Sequence, residues 1–198
     1  MGNLHSVRKA LEWVGAETQI VTDAAGIEGA DKVILPGVGG FADAINTLRE
    51  KQLIEPLKQA VRQGKPFLGI CLGLQLLFEV SYEAGEHAGL GLIAGKVVKF
   101  DFAGREDAQK LKIPHMGWNS LHLARDVALY HGIEEGSYVY FVHSYYVVPQ
   151  DQSVIASTTE HGGEFVSSIA RDNLYATQFH PEKSQRVGLA MLKNFAAL

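Results

Sequence analysis

Pro66-Phe67-Leu68-Gly69-Ile70-Cys71-Leu72-Gly73-Leu74-Gln75 starts as a continuous apolar run and changes character at a cysteine. Pro66–Ile70 has the composition of a strand buried on both faces, and Leu72–Phe78 reads as a helix. Gly69 and Gly73 leave room on either side of Cys71 for a tight strand-to-helix turn, which projects the side chain into a cleft. The helix that follows sets backbone N–H groups and the positive end of its dipole beside the sulfur, favouring the thiolate. A small buried core residue is the alternative, since most free cysteines are of that kind. On this segment alone both readings stand.

Toward the N-terminus the same alternation repeats. Leu4, Val7, Leu11 and Val14 share one helical face, with Gly15 where the helix would stop. Thr18–Thr22 and Lys32–Leu35 are short β-branched or apolar runs bounded by turn residues, hence strands. Phe41, Ile45 and Leu48 mark a second helix. Ile54, Leu57 and Val61 mark a third, with Pro56 tolerable in its first turn and Gly64 as its stop. Such alternation implies an α/β fold, a doubly wound, mostly parallel sheet covered by helices on both faces. From about Leu90 the texture changes. Lys96–Phe100, Tyr138–His143, Val154–Ser157, Phe165–Ala170 and Tyr175–Phe179 read as strands, adding antiparallel β-structure to the same core in the C-terminal half. Val187, Met191 and Phe195 mark a closing helix. With no repeat, low-complexity tract or linker, residues 1–198 read as a single domain.

Composition removes several function classes. Hydrophobic residues at 46% and charged residues at 20% fit a folded domain rather than a disordered chain. A formal charge of −4 without any Lys/Arg run argues against nucleic acid as a partner. No apolar stretch approaches the ~18 residues of a membrane span. The N-terminus lacks the long apolar core of a secretory signal, and one cysteine cannot form an internal disulfide, so a cytoplasmic location is expected. That single cysteine and eight scattered histidines give no metal-ligand spacing. Neither a metal nor a cofactor is expected.

His180-Pro181-Glu182 supplies a base and a carboxylate. Residues two apart on an extended segment face the same way, and Pro181 is expected to keep the segment extended, so Glu182 can reach the imidazole. A thiol nucleophile needs such a base, and the base needs a partner to fix its tautomer. Alone, the tripeptide also suits a surface turn. Its place after a strand near the C-terminus puts it on the sheet edge where α/β active sites gather, and beside the Cys71 turn the catalytic reading is the stronger. Leu35-Pro36-Gly37-Val38-Gly39-Gly40 joins a strand to a helix, either as a tight turn or as a loop presenting N–H groups to an oxyanion. It is not the glycine pattern of a dinucleotide site.

These segments, in this order, resemble the triad class of glutamine amidotransferases. Cys71-Leu72-Gly73-Leu74-Gln75, Pro114-His115-Met116-Gly117-Trp118-Asn119, Tyr140-Phe141-Val142-His143-Ser144-Tyr145, Thr158-Thr159-Glu160 and Gln178-Phe179-His180-Pro181-Glu182-Lys183-Ser184 are similar to the glutaminase subunits of imidazole glycerol phosphate synthase over nearly the whole chain. The resemblance implies a flavodoxin-like fold with added β-structure. It also implies hydrolysis of L-glutamine through a Cys71 thioester, with His180 as acid and base and Glu182 orienting it. The N–H of Leu72 and one from the Pro36–Gly39 loop, at Val38 or Gly39, would form the oxyanion hole. Gly37, Gln75, Glu83, Ser144 and Tyr145 would contact substrate, Gln75 and Glu83 at the α-amino group and Ser144 and Tyr145 at the carboxylate. By residue type alone Glu83 is a plain solvated carboxylate. Ammonia would pass to a (β/α)8-barrel cyclase partner in a heterodimer, docked around Asn3, Pro114, His115, Trp118, Asn119, Tyr140 and Lys183. Products would be imidazole glycerol phosphate and aminoimidazole carboxamide ribotide, in histidine biosynthesis. Trp118, beside Gly117 in what reads as a polar loop, suits an interface anchor, although most tryptophans are core residues.

In one respect the chain departs from that family. Its members begin with a β-strand ending in an Asp-Tyr-Gly-like turn, and here Met1 stands where that turn would be. The expectation is that this central strand is absent, leaving a gap in the sheet. Other readings are a glutaminase subunit of purine, anthranilate or pyridoxal synthesis, a free-standing γ-glutamyl cysteine hydrolase, and a non-catalytic interaction module. Trp118 and its neighbours argue against the first, and Cys71, His180 and Glu182 argue against the last.

Overall fold

The computed structural model describes residues 4–104 and 108–198. Asn3, and Met1 where the family's first turn would stand, lie outside the described residues. In chain order the elements are α1 (Leu4–Trp13), α2 (Ala24–Gly29), β1 (Val33–Gly37), α3 (Phe41–Glu50), α4 (Ile54–Arg62), β2 (Phe67–Cys71), α5 (Leu72–Leu76), β3 (Phe78–Ser81), β4 (His87–Ala88), β5 (Ile93–Lys99), β6 (His115–Ser120), β7 (His122–Leu123), β8 (Tyr138–His143), β9 (Tyr145–Pro149), β10 (Ile155–Glu160), β11 (Glu164–Arg171), β12 (Leu174–Thr177) and α6 (Gln185–Ala196).

The main sheet is mixed and runs β1-β2-β12-β11-β9-β5-β3-β4, with β10 and then β7 attached to β11, while β6 and β8 form a separate ribbon. β1, β2 and β12 are mutually parallel, as is the β3–β5 pair; the C-terminal half is joined by antiparallel pairing. The antiparallel share is larger than the helix–strand alternation implied. Helices cover both faces. Phe67 on β2 belongs to a core with Phe41, Ile45, Leu57 and Leu74, whereas its neighbour Leu68 belongs to one with Val7, Leu11, Met191 and Phe195. That switch over one residue is the side-chain alternation of a strand buried on both sides. Among the described residues no helix is long and apolar enough to cross a membrane.

Three expectations need correction. Thr18–Thr22 is not a strand. Extended β-branched residues become a strand only where a neighbour takes their backbone groups, and among the described residues β1, the end strand, pairs only with β2. The helix expected over Leu72–Phe78 stops at Leu76. Every residue from Leu72 to Phe78 is buried, so no polar face marks its end. The N–H groups of Leu90, Leu92 and Ile93 take the carbonyls of Leu76 and Leu77 at 2.8–3.0 Å and redirect the chain into β3. Finally, Gly117 and Trp118 lie on a strand rather than in a loop, because His115–Ser120 pairs in register with Tyr138–His143.

Candidate active site

Cys71 is the last residue of β2 and the N-cap of α5, with φ 55° and ψ −107°. A non-glycine residue held at positive φ is strained, and such strain persists where surrounding structure enforces it. The two glycines enforce it here. A Cβ on Gly73 would lie 1.8 Å from the Leu35 carbonyl oxygen, and one on Gly69 would lie 2.9 Å from the carbonyl of Gly73. Strand and helix can fold sharply together only without those side chains. The parallel register sets Gly37 beside Cys71 and Thr177 beside Ile70, so the Pro36–Gly39 loop and the segment after β12 both emerge at the nucleophile.

That segment carries His180 and Glu182, whose side chains are 1% and 0% exposed and joined by Nδ1 to Oε1 at 2.7 Å. The contact forms, but not through an extended chain. Pro181–Lys183 is a single 3₁₀ turn, a conformation for which the fixed φ of proline at its first position is suited, and the turn folds the carboxylate back under the ring. Ser184 pins this turn: its Oγ donates to the His180 carbonyl at 2.7 Å and accepts from Tyr140 N–H at 3.0 Å. Burial by itself would lower the His180 pKa. The neighbouring Cys71 sulfur and the hydrogen-bonded Glu182 carboxylate outweigh it and push the imidazole up to about 9.

A sign follows for linkage. With its folded pKa raised, His180 contributes stability fully present below its ordinary 6.5 and lost as pH rises through about 9. In a Glu182→Gln variant the ring keeps a hydrogen-bonding neighbour but loses the carboxylate charge. Its NMR titration midpoint is therefore expected to fall, and an unchanged midpoint would remove Glu182 from this role.

Two residues not singled out as site members in the sequence join the site, one at the sulfur and one through the Tyr145 carbonyl. Gln178 is fully buried, and its Nε2 donates toward Cys71 Sγ at 3.7 Å. Its Oε1 accepts from Gln75 Nε2 at 3.2 Å, and Gln75 Nε2 also donates to the Tyr145 carbonyl at 3.1 Å. The nitrogen of Gln75, expected at a substrate amine, is thus committed inside the protein. His143 is the other, and its ring donates from Nδ1 to the same Tyr145 carbonyl at 2.9 Å. In the sequence Gln178 stands out only as a polar residue in the Tyr175–Phe179 run and as the first residue of the Gln178–Ser184 stretch that carries the resemblance. Glu83 is not a free carboxylate: its Oε2 accepts from Phe41 N–H at 2.8 Å, capping α3 directly behind the Gly37–Gly40 loop. Ser144 and Tyr145 are half-buried at the β8–β9 junction, Gly39 has φ 97°, and Val38 is exposed.

The residues expected at a docking face separate. Trp118 and Tyr140 are register partners with ring centroids 6.1 Å apart, and Lys183 Nζ stands 5.7 Å from the Tyr140 centroid. Met116 and Tyr138, 63% and 60% exposed, extend this face. Pro114 is exposed at the edge of β6. His115 does not belong there. Side chains alternate along β6, so His115 and Asn119 project opposite to Met116 and Trp118. His115 is buried, and Asn119 Nδ2 approaches its Nε2 at 3.2 Å and donates to the Glu160 carbonyl at 2.8 Å.

A family description for class-I glutamine amidotransferases matches residues 1–198. The chain is 52% identical over 195 residues to the imidazole glycerol phosphate synthase subunit HisH of Syntrophotalea carbinolica, covering 98% of this chain and 95% of that one. It is 53% identical over 197 residues to the subunit of the same name from Synechococcus elongatus, covering 98% and 88%. Among solved structures, a glutamine amidotransferase superposes with a TM-score of 0.74 at 18% identity, over 100% of this chain and 95% of that one. PurLQS from Thermotoga maritima superposes with a TM-score of 0.68 at 18% identity, over 98% and 90%. At that identity the structures speak for the fold alone.

Proposed function

The chain belongs to the class-I glutamine amidotransferase family, and from that premise we propose how its site works. It is the glutaminase subunit of imidazole glycerol phosphate synthase in histidine biosynthesis. A cyclase subunit is accordingly its partner and glutamine its substrate. The observation that carries the mechanism is a strained cysteine at a strand–helix elbow, beside a buried histidine that it helps keep protonated and that a buried carboxylate holds.

The Cys71 sulfur attacks the side-chain amide carbon of glutamine, and the oxygen that becomes negative lies at the N–H of Leu72. The Pro36–Gly39 loop supplies the second donor, from Val38 or Gly39. Each such donor contributes roughly 10²–10³ in rate. The imidazolium of His180 gives its proton to the departing nitrogen, which leaves as ammonia. His180 then takes a proton from water, which attacks the thioester; collapse of the adduct releases glutamate, expels the Cys71 sulfur and restores the starting pair with His180 protonated. Gly37, Gln75, Glu83, Ser144 and Tyr145 border the substrate. Gln75 acts there through Tyr145, and Glu83 through the loop whose following helix it caps. The cyclase partner, a (β/α)8 barrel in a heterodimer, docks on the face of Trp118, Tyr140 and Lys183, and Pro114 lies at its edge.

The test is glutamate release from glutamine by the chain alone, with the cyclase subunit, and with the cyclase and its ligand. Gly37 and Gly39 permit the loop to change orientation, so the free chain is expected to be nearly idle and the liganded complex active. Equal turnover in all three would sink that expectation. Trp118→Ala should remove an aromatic anchor worth ~2 kcal/mol or more, weakening association or uncoupling hydrolysis from synthesis. Unaltered association and coupling would take Trp118 out of the interface.

A further inference from the structure

His115 and His143 are buried, face each other with Nδ1 of the first 3.0 Å from Nε2 of the second, and take no part in the chemistry above. Their proton positions are nevertheless determined. A carbonyl oxygen only accepts, so the contact with Tyr145 O makes Nδ1 of His143 the donor. In a neutral ring Nε2 is then an acceptor, which makes His115 Nδ1 a donor. His115 Nε2 in turn accepts from the Asn119 amide. An added proton on either ring would set two donors against each other. Burial chiefly, with the neighbouring histidines, holds His115 down at about 4 and His143 at about 3, so both are neutral near pH 7.

The order continues to the nucleophile. The Tyr145 carbonyl receives the His143 and Gln75 donors; Gln75 turns its second N–H to Gln178 Oε1, which leaves Gln178 Nε2 facing the Cys71 sulfur. Reversing any one amide would put like groups together along the row. We propose that His143, held by His115, is a positioning residue for the nucleophile: by fixing the Tyr145 carbonyl it orients Gln75 and Gln178 so that an N–H is presented to Cys71. This rests on the reading of Cys71 as the nucleophile.

Two substitutions separate the proposal from a merely structural role. His143→Asn places an amide N–H where Nδ1 stands and keeps the donor to Tyr145 O. His143→Gln reaches the Nε2 position and loses it. The readouts are alkylation of Cys71, the sole thiol, by iodoacetamide at pH 7 on the full chain, and kcat for glutamate release in complex with the cyclase subunit. The Gln variant is expected to lose about 10-fold in both together, the effect of one hydrogen bond to a charged group, and the Asn variant about twofold or less. Gln178→Met removes the last donor directly and should match the Gln variant, which keeps the test decisive if His143→Gln does not fold. Parent-like alkylation and kcat in His143→Gln or in Gln178→Met would overturn the proposal. So would equal losses in the Asn and Gln variants. A parent chain in which glutamine-mimicking electrophiles leave Cys71 unlabelled would instead overturn the reading of the nucleophile itself.

Discussion

Glutamine hydrolysis by a Cys71→Ala variant is expected to fall by roughly 10⁶-fold, the scale of loss when a triad nucleophile is removed. Among the described residues in contact with the sulfur, none can replace it. Gln178, which approaches it at 3.7 Å, is an amide, and His180 is held as proton carrier by Glu182 at 2.7 Å. The residual rate is what the oxyanion donors and binding alone supply. The fold should survive. One heavy atom is lost from a small buried residue, about 1 kcal/mol or less, so the melting temperature should move by only about 2–4 °C in a domain of this size. The positive φ at position 71 is imposed by β2 and α5 and is no worse for alanine than for cysteine. A glutamine-mimicking electrophile should label the parent at this residue alone, since it is the only cysteine. Substantial turnover by the variant would remove the thioester route altogether.

The elbow was legible because it is local: two glycines and a cysteine within five residues constrain the backbone whatever surrounds them. The strands β2, β8 and β11 were legible for a similar reason, being apolar runs that need no knowledge of their neighbours. Thr18–Thr22 shows the limit, because its composition suits a strand but strand formation depends on an adjacent edge that composition does not record. His115–Ser120 failed in the opposite direction. Gly117 and the polar residues around it read as a loop, yet pairing with Tyr138–His143 makes it a strand and turns His115 inward. The same pairing places Trp118 and Asn119 on opposite faces, although they are adjacent in sequence. Gln178 and His143 act through contacts across 107 residues and through a carbonyl of Tyr145 that Gln75 shares across 70. No local pattern carries such contacts.

Gly188 was invisible in sequence and yields an expectation whose sign is informative. It lies within α6, where replacing glycine by alanine ordinarily stabilises by about 1 kcal/mol through helix propensity. Here a Cβ would stand 1.9 Å from the Pro181 carbonyl oxygen and 2.8 Å from Ser184 Cβ. The obstruction is backbone, so no rotamer change relieves it. If α6 withdraws, Met191, Leu192 and Phe195 leave the core they fill. If the turn withdraws, it breaks the 2.7 Å bond from Ser184 to the His180 carbonyl and the 3.0 Å bond from Tyr140. It also carries Glu182 away from His180. Overpacking of this kind costs about 1–3 kcal/mol, more than propensity returns, so Gly188→Ala should lower the melting temperature rather than raise it. Glutamine turnover should fall further than stability accounts for, by about 10²-fold, because a displacement near 1 Å misaligns base and nucleophile. Labelling of Cys71 by a glutamine mimic should slow in the folded variant, showing that the thiol has lost its partner. A Gly188→Ala protein that melts higher and turns over normally would mean that α6 and the His180 turn approach less closely than 1.9 Å implies, and that the carboxylate is held by other contacts.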